Sequence, residues 1–153
     1  MIYEQTDDMN FVTDCLTEPS VWRLGSDDTF GIVDPDLFFV DQKINFLWLR
    51  CGEYGLLIGE PRNTVTIEAH VALMPNARGN SVDICKGALK WVFDNTGYSC
   101  ITASIPEFNK LAIRLANKVG MEFIGIQRKS FMKRGTLYDQ HFFSLNKEDV
   151  CQQ

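Results

Sequence analysis

The chain has no apolar run approaching the roughly 20 residues that a membrane helix requires, and its first residues, Met1-Ile2-Tyr3-Glu4, lack the charged and apolar regions of a secretory leader. Neither a membrane span nor an exported precursor is expected; the mature protein is expected to be soluble, to begin at residue 1 and to reside in the cytoplasm. The five cysteines, at positions 15, 51, 85, 100 and 151, form no C-x-x-C pair and leave one unpaired under any intramolecular disulfide scheme. That spacing argues against both a zinc site and a disulfide framework, so no metal is expected and a reducing compartment fits. Basic charge is also scarce: 15 Lys and Arg against 20 Asp and Glu leave a formal charge of −5. A surface built to neutralise nucleic-acid phosphates is therefore not expected. Internal repeats, low-complexity tracts and linkers are absent too. What is present is 45% hydrophobic residues over 153 positions, which suits one globular domain covering 1–153.

Periodicity divides the chain into elements. Asp7 and Asp8 can cap a helix whose Phe11, Val12, Cys15 and Leu16 share a face, Pro19 interrupts it, and a further turn or two runs through Val21, Trp22 and Leu24 to Gly25. From Phe30 to Arg62, apolar runs are separated by Asp34-Pro35-Asp36, Asp41-Gln42-Lys43 and Cys51-Gly52-Glu53, which predicts consecutive antiparallel strands, Ile44 to Arg50 and Tyr54 to Gly59 among them. A strand follows over 64–73, a helix from about Asn80 to Asn95, a strand from Cys100 to Ile105, a helix from Phe108 to Val119, and strands from Phe123 to Lys129 and Leu137 to Leu145. This order implies an α/β or α+β sheet with helices on both faces.

The strand at 64–73 carries the first chemistry. Two-residue alternation puts Thr66, Glu68 and His70 on one face and Val65, Ile67, Ala69 and Val71 on the other, which predicts one core face and one wet or functional face. The strand runs into Met74-Pro75-Asn76-Ala77-Arg78-Gly79-Asn80-Ser81-Val82-Asp83 and then a helix. A Gly-containing turn feeding a helix N-terminus presents free N–H groups and the positive end of the helix dipole, a setting suited to a pyrophosphate. The alternative is a plain turn in which Asn80 or Ser81 caps the helix and Asp83 favours its dipole. Glu68 and His70 can likewise be an ordinary solvated pair. Asn109 can be a helix-start residue and Gly120 a helix C-cap.

Taken together, the strand with Glu68-x-His70, the turn at 76–81, Asn109-Lys110-Leu111-Ala112 and Gly120-Met121 resemble the acyl-CoA core of GNAT-type N-acetyltransferases. The resemblance implies a mixed, mostly antiparallel central sheet with helices on both faces, and transfer of an acetyl group from acetyl-CoA to a primary amine of a small molecule or protein. It implies a general base on this strand, Glu68 or His70. An imidazole titrates near neutrality unperturbed and a carboxylate needs burial to do so, but the family usually draws its base from an acidic residue here, which favours Glu68, with His70 orienting it, binding a water or lining the acceptor site. Backbone groups near Leu73 would meet pantetheine and the oxyanion; Asn76, Ala77, Arg78, Gly79, Asn80 and Ser81 would hold the pyrophosphate. Asn109 would orient the thioester end, and Ala112 would leave room for the thiol.

The chain departs from the family pattern at two places. Of the two positions where small residues are usual in the turn, Ser81 is small enough to let a phosphate approach but Asp83 would repel it unless its side chain turns outward or pairs with Arg78 or Lys86, and Ala116 stands where many members place a Tyr that protonates the leaving thiolate. Tyr138 or His141 could reach the cleft instead, but strand alternation allows only one of them. Trp22, Trp48, Trp91 and the Phe142-Phe143 pair are expected in the core, and Arg128, Lys129, Lys133 and Arg134 around Gly135 as a solvated hairpin tip. The Pro-Ser-Val-Trp segment at 19–22, the Glu-x-His strand and an Asn after Ile-Pro also resemble small GNAT-like proteins encoded by bacteriophages, some labelled as head-assembly factors. That second resemblance implies a role in virion assembly, phage structural proteins as partners and a host cytoplasm as the location.

Overall fold

A computed structural model of the chain describes residues 1–28 and 45–150. The expectations for 30–44, including the Asp34-Pro35-Asp36 and Asp41-Gln42-Lys43 turns, lie outside the described residues, as does Cys151. Strand β1 is Tyr3–Gln5, followed by helices α1 (Met9–Thr17) and α2 (Pro19–Gly25). Strands β2 (Leu47–Cys51), β3 (Gly55–Pro61) and β4 (Thr66–Leu73) come next. A single 3-10 turn at Pro75–Ala77 leads to α3 (Ser81–Asn95), β5 (Cys100–Pro106), α4 (Lys110–Lys118), β6 (Glu122–Lys133), β7 (Thr136–Asn146) and the short α5 (Lys147–Val150). The seven strands form one sheet in the order β1-β2-β3-β4-β5-β7-β6. Every pairing is antiparallel except β4 with β5.

Helix starts follow their capping chemistry. Asp8 accepts the Phe11 amide at 3.1 Å and opens α1, whereas Glu18 accepts the Ser20 and Val21 amides and opens α2 with Pro19 at its first position. Strand β1 was not legible in the sequence, because three residues with no alternating apolar pattern give no periodic signal. Pairing with β2 and a hydrogen bond from the Tyr3 hydroxyl to the Ile84 carbonyl at 3.1 Å hold it in place.

Helices cover both faces. Leu49, Leu57, Ile67, Ile101, Phe143 and Leu145 pack against Ile84, Ala88, Val92 and Phe93 of α3 and Ala116 of α4. On the other face Trp48, Leu56, Ile58 and Ala72 pack against Val12 and Cys15 of α1. Of the expectation of one core face and one wet or functional face in β4, the wet alternative needs correcting. The face bearing Glu68 and His70 also carries Ala72 in a second core, because α1 and α2 roof it, and Glu68 itself is only 7% exposed. Trp48 is buried and Trp91 packs on the larger core, as expected.

The hairpin between β2 and β3 tightens against β4 at Gly55. Its φ is +134°, and a Cβ there would run into the backbone carbonyl of Ala72, which cannot move without breaking the β3–β4 ladder. Gly55→Ala is expected to destabilise the fold by more than the ~1 kcal/mol of an ordinary Gly/Ala difference, read as a lowered urea midpoint with an unchanged m-value. An unchanged midpoint would mean that the β3–β4 contact yields.

Candidate active site

The strand registers create an opening in the sheet. β4 pairs with β3 along Ile67 to Leu73, but with β5 only at Thr66, Ile67 and Glu68, opposite Cys100, Ile101 and Thr102. Beyond that point the two parallel strands separate. Hydrogen-bonded partners alternate in an antiparallel ladder, and Met74 donates to Tyr54 while Arg62 donates to Thr66. The even-numbered residues of β4 thus bond to β3, and the N–H and C=O groups of Ala69, Val71 and Leu73 point into the gap. Buried backbone groups without partners are costly, so a gap of this kind is a place for a ligand or water.

Two cavities meet there. One, of ≈220 Å³, passes through the gap and is lined by Glu68, His70, Val71, Ser104, Asn109, Ala112, Ala116, Phe131 and Gln140, among others. The other, of ≈430 Å³, is a groove between the end of β4 and α4, walled by Leu73, Ala77, Arg78, Gly79, Ser81, Asn109 and Ala112, with α2 opposite. Asn76 and Asn80 line neither cavity. Asn76 instead donates to the Glu53 carbonyl at 3.3 Å.

The amides of Ala77, Arg78 and Asn80 are spent on carbonyls within the turn, but the first turn of α3 leaves its amides open. Asn80 stands at the cap position without a side-chain cap bond, and the amides of Ser81, Val82 and Asp83 have no intrahelical acceptor. Gly79 has φ +91°, with open space where a Cβ would sit. Asp83 is exposed and lines neither cavity; it lies on the Tyr3 side of the helix, where its charge helps raise the Tyr3 pKa after burial has done so. Its carboxylate is thereby kept out of the groove. Arg78 faces the groove from the turn, and Arg23 of α2 lines the opposite wall. Sequence reasoning missed Arg23, because nothing in the α2 sequence shows which way that helix packs.

Asn109 has two roles at once. Its Oδ1 accepts the Ala112 amide at 3.1 Å and caps α4, while the residue borders both cavities. Ala116 is buried and lines the gap. Neither Tyr138 nor His141 lines the gap or the groove: Tyr138 packs edge-on against Phe108 at 4.8 Å and His141 lies against Phe123 at 5.6 Å. Gln140, on the same strand face as Tyr138, lines the gap instead. The basic hairpin tip is solvated at Arg128, Lys129, Arg134 and Gly135, as expected, and is also anchored. Lys133 donates to the Ser26 carbonyl, and the Arg134 and Gly135 amides donate to Asp28, which fixes the hairpin against the end of α2.

At the edge of the gap stands a charged group of four side chains. Arg62 gives two hydrogen bonds to Oε2 of Glu68, from Nε at 2.8 Å and Nη2 at 2.6 Å, and one to Glu60 at 3.0 Å. His70 Nε2 lies 3.7 Å from Glu68 Oε1 and 4.0 Å from Glu60 Oε2. Although 44% of its side chain is reached by solvent, the ring sits in a recess, and desolvation there lowers its pKa below the usual 6.5, opposed by the two carboxylates. The Cys85 thiol, also at the gap, is pushed up to about 12 by burial, which leaves it unreactive. Among the described residues there is no cluster of His, Cys, Asp or Glu able to hold a metal ion, and no helix is long and apolar enough to cross a membrane.

The architecture has known counterparts. A spermidine N-acetyltransferase from Vibrio cholerae, solved with CoA and spermine, superposes with a TM-score of 0.77 over 98% of this chain and 97% of that one at 12% identity. A GNAT-family acetyltransferase from Bacillus anthracis gives 0.72 over 95% and 94% at 17% identity. No protein-family profile and no curated protein matches the chain. The chain therefore has the GNAT acetyltransferase fold: a mixed, mostly antiparallel sheet, opened between its two parallel strands, with helices on both faces.

Removing Arg62 would strand the Glu68 carboxylate, whose side chain is 9% exposed, without its two N–H donors. Arg62→Ala is expected to cost about 1–3 kcal/mol, the range for an unsatisfied buried polar group, and the double variant Arg62→Ala, Glu68→Gln less than the sum of the two singles. Denaturant unfolding of the four proteins checks this; strict additivity would mean that the pair is not coupled.

Proposed function

We propose that the chain is an acetyl-CoA-dependent N-acetyltransferase acting on a primary amine, with His70 as the general base. The observation that carries this reading is the opening of the sheet between β4 and β5, which has unpaired backbone groups on one wall and His70 at its edge. The groove beside it supports a pyrophosphate at Arg78 and the amides of Gly79 and Ser81, with Arg23 opposite; Asn76 and Asn80 are left to the turn itself. Leu73 and Val71 offer backbone groups to the pantetheine arm and thioester carbonyl, and an N–H aimed at that oxygen stabilises the developing oxyanion. Asn109 borders the same space, and its cap bond uses only the carboxamide oxygen.

The reaction follows from proton placement. The acceptor arrives as an ammonium, gives one proton to neutral His70 Nε2, and attacks the thioester carbon through its freed lone pair. The C–S bond breaks, and the thiolate leaves with the electron pair. The second amine proton passes to water as the amide forms, and the departed thiolate takes a proton from water, since Ala116 supplies no acid. Family usage pointed to Glu68 as the base. The geometry favours the exchange of roles, because Oε2 of Glu68 is held by two Arg62 N–H groups while the imidazole is uncharged and reachable. Glu68 and Glu60 then stabilise the imidazolium, and Arg62 positions them.

The test joins binding to pH. Acetyl-CoA at about 100 times its dissociation constant should stabilise the fold by roughly 2.7 kcal/mol, seen as a raised Tm, and Arg78→Ala should weaken CoA but not dephosphorylated pantetheine. Because burial lowers the His70 pKa, the imidazole is neutral above that value, and kcat/KM should fall as pH drops through a midpoint below 6.5. His70→Gln should abolish that limb and lower turnover by about 10²- to 10⁴-fold, with acetyl-CoA affinity unchanged. An unshifted Tm with no heat of binding would refute the assignment and leave the fold as a binding scaffold, the form in which a role in virion assembly would apply. Full turnover in His70→Gln would refute the base.

A further inference from the structure

A third cavity, of ≈280 Å³, opens under α1 and α2 on the His70 face of the sheet. It shares Gly25, His70 and Val71 with the gap, so a molecule seated in it would reach the imidazole. Its body is lined by the rings of Trp22, Phe46 and Trp48 with Leu16 and Ile58; Glu60 and His70 stand together at one side. The size lies just under the range of drug-sized ligand sites, about 300 to 1,000 Å³, which suits a small amine.

Resting on the acetyl-transfer reading, we infer that this cavity is the acceptor pocket and selects a monoamine with an aromatic or branched apolar body over a polyamine. The charge balance sets the number of cations. Glu60 and Glu68 carry two negative charges, Arg62 cancels one, and neutral His70 adds none. One net negative charge remains, beside the atom that must take the ammonium proton, so the amine end is fixed at Glu60 and His70. The rest of the molecule then extends among the rings. A polyamine would carry its next ammonium into that apolar end, where no Asp or Glu other than Glu60 lines the cavity among the described residues. Burying an uncompensated cation there is unfavourable. The Phe46 and Trp48 rings, 5.7 Å apart and tilted by 41°, pack on each other and together offer an aromatic wall to a flat or branched group. Glu60 and Phe46 are thus the specificity-determining residues, one for the charge and one for the body.

The full chain with acetyl-CoA and 2-phenylethylamine, isoamylamine, methylamine or spermidine provides the test, followed by thiol release. We expect kcat/KM for 2-phenylethylamine at least 10-fold above methylamine and above spermidine. Phe46→Ala should remove most of that preference through KM, whereas Glu60→Gln should raise KM for every amine without changing acetyl-CoA affinity. Trp22 and Trp48 line the cavity, so tryptophan fluorescence titrated with 2-phenylethylamine reads binding without turnover, and Phe46→Ala should weaken it about 10-fold. Turnover that favours spermidine, or is indifferent to the body, overturns the pocket while leaving acetyl transfer intact. Saturable amine binding with no acetyl-CoA binding overturns the acetyl-transfer reading and the acceptor assignment with it. No amine-dependent fluorescence change together with normal turnover places the acceptor elsewhere.

Discussion

The separation of β4 from β5 after three paired residues is the constraint on which the rest of the structure depends. A parallel pair continued to the strand ends would consume the N–H and C=O groups of Ala69, Val71 and Leu73, and there would be neither cleft nor groove. Because the β3 ladder continues alongside to Leu73, the free side of β4 is held rigid while it stays open. The β5–β7 ladder does the same for the opposite wall, from Cys100 to Pro106. The site is therefore built from backbone on regular strands, which holds geometry better than loops do. The side chains around it could vary widely without closing it, which fits the low sequence identity to proteins of the same fold.

The charged group of Glu60, Arg62, Glu68 and His70 shows how the strand face was put to use. Glu68 is nearly buried and keeps its charge company with Arg62, so its energetic role is local and structural as well as electrostatic. His70 lies one pleat further along, at the point where both the gap and the apolar cavity can reach it. Two residues of the same strand face thus have different surroundings, and the roles proposed for them rest on that difference.

Much of the frame was legible in the sequence because periodic elements state their own faces: α3, β4 and β7 came within two residues of their observed bounds. The Glu68 and His70 face was readable from alternation alone. Other features depended on contacts between distant segments. Arg62 sits six residues before Glu68 across a turn, and its partnership shows only once β3 and β4 are paired. Arg23 and Trp22 enter the site through the packing of α2, and Asp28 reaches a hairpin 106 residues away. The dual use of Asn109 as cap and cavity wall is also invisible in sequence, where either role explains the residue.

The central claim, that the open side of β4 and the start of α3 form the acyl-CoA seat, is tested most directly by hydrogen exchange of the full chain with and without acetyl-CoA. The account predicts new protection confined to the amides of Ala69, Val71, Leu73, Gly79, Ser81, Val82 and Asp83, with β2 and the outer part of β6 unchanged. Protection absent from both segments, or located only on other elements, would contradict it.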